Sequence, residues 1–146
     1  MKRQDKYPDT FTFHYHNQNP KNRITGDCVV RAISTATGIP YNEVVMGMAE
    51  IWCKTAKDPF YDVDEYMKSI GWVKHKQPRK WYNTKYTGVE FCNELNRGYD
   101  ICVSGSVVAN IGGHHIVAIK EDELGYRVYD IWNSTDGCIG NYWTKG

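Results

Sequence analysis

A chain of 146 residues with eighteen basic and seventeen acidic side chains is the size of one domain, and its net charge of +1 gives no excess of the kind that binds nucleic acid or an anionic membrane. No segment approaches the roughly 20 apolar residues of a membrane span, and the first residues run into Tyr7 and Pro8 without the apolar core of a signal peptide. Five cysteines, an odd number at irregular spacing with no CxxC pair, do not make a disulfide framework and point to a cytoplasmic chain with reduced thiols.

Residues 1–20 read as an irregular polar and aromatic segment in which the alternation from Thr10 to His16 is expected to add an edge strand. His14 and His16 share one face of that strand, but two histidines at i, i+2 lack a second ligand pair with zinc-site spacing, so no metal and no cofactor is expected. The first helix starts near Asp27, with Thr25 as N-cap and Gly38 as the stop after Thr37, and buries Val29, Val30, Ala32, Ile33 and Ala36. A second helix fits Tyr41 to about Lys54, with Pro40 at its start and Val44, Val45, Met48, Ile51 and Trp52 as core. A third runs from Val63 to Ser69 and ends at Gly71.

Trp72 to Tyr86 shows no period, and the basic cluster from Lys74 to Lys80 reads as a solvated loop. Thr87-Gly88-Val89-Glu90 has the spacing of a capping box, which opens a helix through Phe91, Leu95 and Asn96 that Gly98 closes. Strands follow at Ile101–Val103, Val107–Ala109, Ile116–Lys120, Tyr126–Ile131 and Ile139–Trp143. Helices first and strands afterwards predict one α+β domain over residues 1–146, its N-terminal helices packed on a C-terminal antiparallel sheet.

Cys28 falls in the first turn of the first helix, among N–H groups that have no intrahelical partner and that favour an anion. Such a position beside an imidazolium lowers a thiol pKa from about 8.5 to roughly 3.5–7.5. Gly112-Gly113-His114-His115 feeds two histidines into an apolar, β-branched strand far downstream. A hairpin centred between Asp122 and Glu123 sets Asp130 opposite His115, where it can accept the Nδ1 proton and leave Nε2 to face the thiol. Asn133 competes with Asp130 for that role and His114 with His115. The other cysteines, Cys53, Cys92, Cys102 and Cys138, read as core thiols.

A cysteine on a helix, an intervening run of helices, a histidine on a strand and an acid on the next strand together resemble the papain-like cysteine peptidases. The run Asn22, then Arg23 to Gly26, then Asp27-Cys28-Val29, followed by His115-Ile116-Val117-Ala118 and Asp130, is most similar to the peptidase domains that process bacteriocin leaders. It also looks like small peptidase-like proteins of phage and prophage genomes, which share a Gly-Asp-Cys-Val-Val-Arg-Ala run and an Asp-x-Trp segment like Asp130-Ile131-Trp132. The resemblance covers residues 22–37 and 112–133. It implies a papain-like fold and a thiol hydrolase acting on a peptide or protein. Cys28 is then the nucleophile, His115 the base and Asp130 the orienting acid, with Asn22 and the Cys28 N–H binding the oxyanion. His115 is preferred over His114 because it has the histidine-x-valine spacing of the family. Asn22 stands where the family has glutamine, and Val29 where it has glycine. The alternatives are a catalytically silent domain of this fold that binds a host or phage protein and, third, a zinc-binding adaptor built on His14 and His16.

Overall fold

The computed structural model describes all 146 residues. Five helices and six strands follow one another as α1 (Arg3–Lys6), β1 (Phe13–Tyr15), α2 (Cys28–Thr37), α3 (Tyr41–Thr55), α4 (Asp64–Ser69), β2 (Trp72–His75), α5 (Gly88–Arg97), β3 (Val107–Ile111), β4 (His115–Asp122), β5 (Gly125–Asp130) and β6 (Ile139–Lys145). The strands form one sheet in the order β1-β5-β4-β3-β6-β2. This is a mixed α+β fold, and no helix is long and apolar enough to cross a membrane.

The pleat of the sheet divides the core in two. Val108, Ile116, Ala118 and Trp143 face α2, α3 and α4, while Val107, Ala109, Val117, Ile119 and Val128 face α5. All five apolar residues expected to anchor α2 are buried. At about 1.5–3 kcal/mol for each large side chain, that face is what fixes the helix, and with it Cys28, against β4. Gly38 ends α2 in the left-handed region (φ +78°), and α5 carries the full capping box of Thr87 and Glu90.

Several expectations need correction. The sheet is mixed rather than antiparallel, because β1 runs parallel along β5, pairing Phe13 with Val128 and Tyr15 with Asp130. Residues 1–20 are therefore not irregular throughout: they hold one helical turn and this edge strand. Trp72–His75 is an edge strand, antiparallel to β6, whose half-exposed side chains show no buried alternation. Ile101–Val103 is not a strand; Ile101 and Val103 fill the rim of the core under α5. Within α3 only Val44 and Met48 are buried, and Trp52 is 46% exposed, lying edge-on to Phe60. Of the four cysteines expected in the core only Cys92 is there; Cys53, Cys102 and Cys138 are exposed.

Candidate functional site

The N-cap of α2 is Asp27, not Thr25, and its side chain caps nothing. The carboxylate instead accepts hydrogen bonds from Asn19 Nδ2 (2.9 Å), Tyr41 Oη (2.7 Å) and Arg31 Nε (2.7 Å). It thereby ties the loop before α2, the start of α3 and the second turn of α2 to one point. Burial raises the Asp27 carboxyl, but these three donors together hold it below its ordinary range. Because the carboxylate is turned away, the first N–H groups of α2, that of Cys28 among them, stay open.

The β4–β5 hairpin turns through Glu123 and Leu124, pairing Asp122 with Gly125 and Ala118 with Tyr129. The expected pairing of His115 with Asp130 is thus shifted by two residues, and Asp130 lies diagonal to His115. A two-residue shift preserves which side chains share a face, and a diagonal pair stays within reach of a long side chain. His115 Nε2 donates to Asp130 Oδ2 at 2.5 Å. This reverses the expected use of the ring: Nε2 is held by the acid, leaving Nδ1 for the thiol.

The His115 side chain and the Ile116 N–H lie next to the Cys28 thiol and both favour its thiolate. Burial pushes the Cys28 thiol up, but the neighbouring His115 and Ile116 N–H and the charges of His115 and Arg31 outweigh it and bring the pKa below the ordinary value. Burial alone lowers the His115 pKa; hydrogen bonds and charges from Asp130 and Cys28 overcome it and raise the imidazole to about 9. The two shifts run in the directions that favour a thiolate beside an imidazolium.

Sequence reasoning missed the part played by Arg31. Only 6% exposed, it donates through Nη1 to Asp130 Oδ1 (2.9 Å) and through Nε to Asp27. Asp130, 3% exposed, has its second oxygen fixed by Arg31 and by the Ile131 N–H at 2.8 Å, so it presents Oδ2 to His115 without freedom to turn. The signal was present in the sequence: an arginine one helical turn after Asp27, flanked on both sides by apolar residues, must find buried acids. Trp132 lies beside His115, with ring centroids 5.0 Å apart and planes tilted by 37°.

The structure brings Cys28, His115 and Asp130 together and leaves the alternatives outside. His114 is exposed in the turn before β4. Asn133 spends its Oδ1 on the Thr135 N–H (3.1 Å) and hydroxyl (2.6 Å). Asn22 sits in the exposed loop before α2 with φ +54°; its Oδ1 accepts from Asn17, and its amide nitrogen has no partner in the chain. His14 binds Asp9 and His16 binds Gln18, each at 2.6 Å, and no group of three or more His, Cys, Asp or Glu is assembled as a metal site. Comparison of the chain with protein-family models, curated proteins and solved structures finds no significant match.

Proposed function

We propose that this chain is a thiol hydrolase of papain-like construction, a cysteine peptidase or isopeptidase whose substrate is a peptide or protein. The observation that carries the reading is that Cys28, at an uncapped helix N-terminus, lies beside His115, which is itself hydrogen-bonded to the buried Asp130. In this mechanism the Cys28 thiolate attacks an amide carbonyl, forming the S–C bond and placing negative charge on the carbonyl oxygen. The Cys28 N–H and the free amide of Asn22 are the donors for that oxyanion. The His115 imidazolium then protonates the leaving nitrogen, the C–N bond breaks and a thioester remains. Neutral His115 takes a proton from water, the resulting hydroxide attacks the thioester, and the acid product departs as the thiolate–imidazolium pair is restored. Asp130 keeps the ring oriented throughout, and Arg31 keeps Asp130 oriented.

The test is a screen of peptide, isopeptide and small-amide libraries with the native chain and with Cys28→Ala as the blank. Turnover that requires Cys28 supports the proposal. No turnover, together with a Cys28 no more reactive than a free thiol, would replace it by the silent domain that binds a protein partner.

A further inference from the structure

A cavity of about 210 Å³ adjoins His115, walled by Ile111, Gly112, Trp132, Ser134, Asp136 and Gly137. Its outer wall, residues 133–137, is stitched in place: Gly88 N–H donates to Gly137 O (2.9 Å), Val89 N–H to Thr135 O (3.1 Å) and Gly137 N–H to Ser134 O (2.9 Å). The cavity is therefore preformed. Ile111 and Trp132 give it apolar walls, and the two glycines contribute no side chain. The one carboxylate on the wall, the exposed Asp136, makes no ion pair. The acids deeper in the site are already used, Asp130 on His115 and Arg31, Asp27 on Arg31. Among the residues lining the cavity, Asp136 is the one carboxylate.

The place of the cavity follows from the chemistry. The group that protonates the leaving nitrogen must reach it, so the substrate residue carrying that nitrogen passes beside His115. We infer that this cavity is the subsite for the residue on the leaving-group side of the scissile bond, and that it takes a basic side chain, lysine or arginine. The inference rests on the thiol-hydrolase reading above. The long stem of such a side chain lies along Ile111 and Trp132, and its cationic head meets Asp136.

Three affinity labels test this without a known substrate: the chloroacetyl derivatives of lysine amide, alanine amide and glutamate amide. Cys28 sulfur displaces chloride from each to form a thioether, and the amino acid beyond the amide lies on the leaving-group side. Rates of Cys28 labelling are read by peptide mass mapping and normalised to those of a free thiol. The lysine label is expected to exceed the glutamate label by up to about fivefold, the upper worth of a solvent-facing ion pair. Asp136→Asn is expected to abolish the preference and Asp136→Lys to invert it, with the alanine label unchanged in both. Alanine labelling at Cys28 with no difference between lysine and glutamate, or a preference that survives Asp136→Asn, would overturn the subsite and leave the hydrolase standing. Failure of all three labels at Cys28 in the folded chain would overturn both.

Discussion

The helices α2 and α5 pack on opposite faces of the same sheet, and each carries a cysteine in contact with it. At α5 the first turn is closed: Thr87 Oγ1 accepts the Glu90 N–H (3.2 Å), and Glu90 returns a carboxylate oxygen to the Thr87 N–H (3.0 Å). Its thiol, Cys92, is fully buried among apolar side chains, and burial pushes its pKa up to about 12. At α2 the cap residue has given its side chain to Arg31, Tyr41 and Asn19, the first turn is open, and the thiol sits in it beside a histidine. Both cysteines lose solvent and both meet a backbone N–H, of Ile116 and of Val128, yet only Cys28 gains charged partners that favour the thiolate, His115 and Arg31. Burial by itself makes an inert thiol; the proposed reading is that an uncapped helix start with an imidazole beside it makes a reactive one.

The comparison breaks most completely if the histidine is removed. His115→Ala is expected to lower hydrolysis by about 10⁴, the scale of a lost general acid–base, while His114→Ala leaves it near native. A pH profile of turnover checks the same point. Hydrolysis is expected to fall as pH rises through about 9, where the His115 imidazolium loses the proton it gives to the leaving nitrogen. The stability contributed by that raised pKa has the same sign: fully present below the ordinary histidine value of about 6.5, it is lost as pH rises through about 9.

The open helix start is tested next. Asn22→Ala is expected to lower kcat by about 10²–10³, the cost of one oxyanion donor, with Cys28 alkylation nearly unchanged. An active enzyme indifferent to this substitution moves the oxyanion site to other donors.

Removing the buried acid acts on stability as well as on chemistry. Asp130→Ala leaves Arg31 with only Asp27, and urea unfolding is expected to show a loss of about 3 kcal/mol, the lower end for a broken buried pair. A variant in which Asp130→Ala and Arg31→Met are combined is expected to recover part of that loss, since no uncompensated charge stays buried. On the other face, Thr87→Ala removes a cap and is expected to cost about 1 kcal/mol with no effect on Cys28 reactivity.

What the sequence made legible follows the same division. The apolar face of α2, the Gly38 stop and the capping box of α5 are local signals, and each appears where its spacing put it. The meeting of Cys28 with His115 and Asp130 was legible because helix position, strand start and hairpin parity each leave a local trace. The exact pairing was not, since Glu123-Leu124 and the adjoining centre one residue back are equally good turns by composition. Edge strands such as Trp72–His75 escape notice because nothing buries an alternating face. The roles of Arg31 and Tyr41 depend on which acids the fold brings to them, which spacing along the chain does not record for Asp130, 99 residues away.

The most direct measurement is the order in which the five cysteines react with iodoacetamide at about pH 6.5, roughly two units below an ordinary thiol pKa, followed by peptide mass mapping. Cys53, Cys102 and Cys138 are exposed internal standards, and Cys92 is the buried one. The account predicts that Cys28 is alkylated well before the three exposed thiols although it is less accessible than they are, and that Cys92 stays protected until the chain unfolds. Labelling of the exposed cysteines first, with Cys28 following accessibility or waiting for denaturant, would contradict the claim that α2 and His115 make Cys28 a nucleophile.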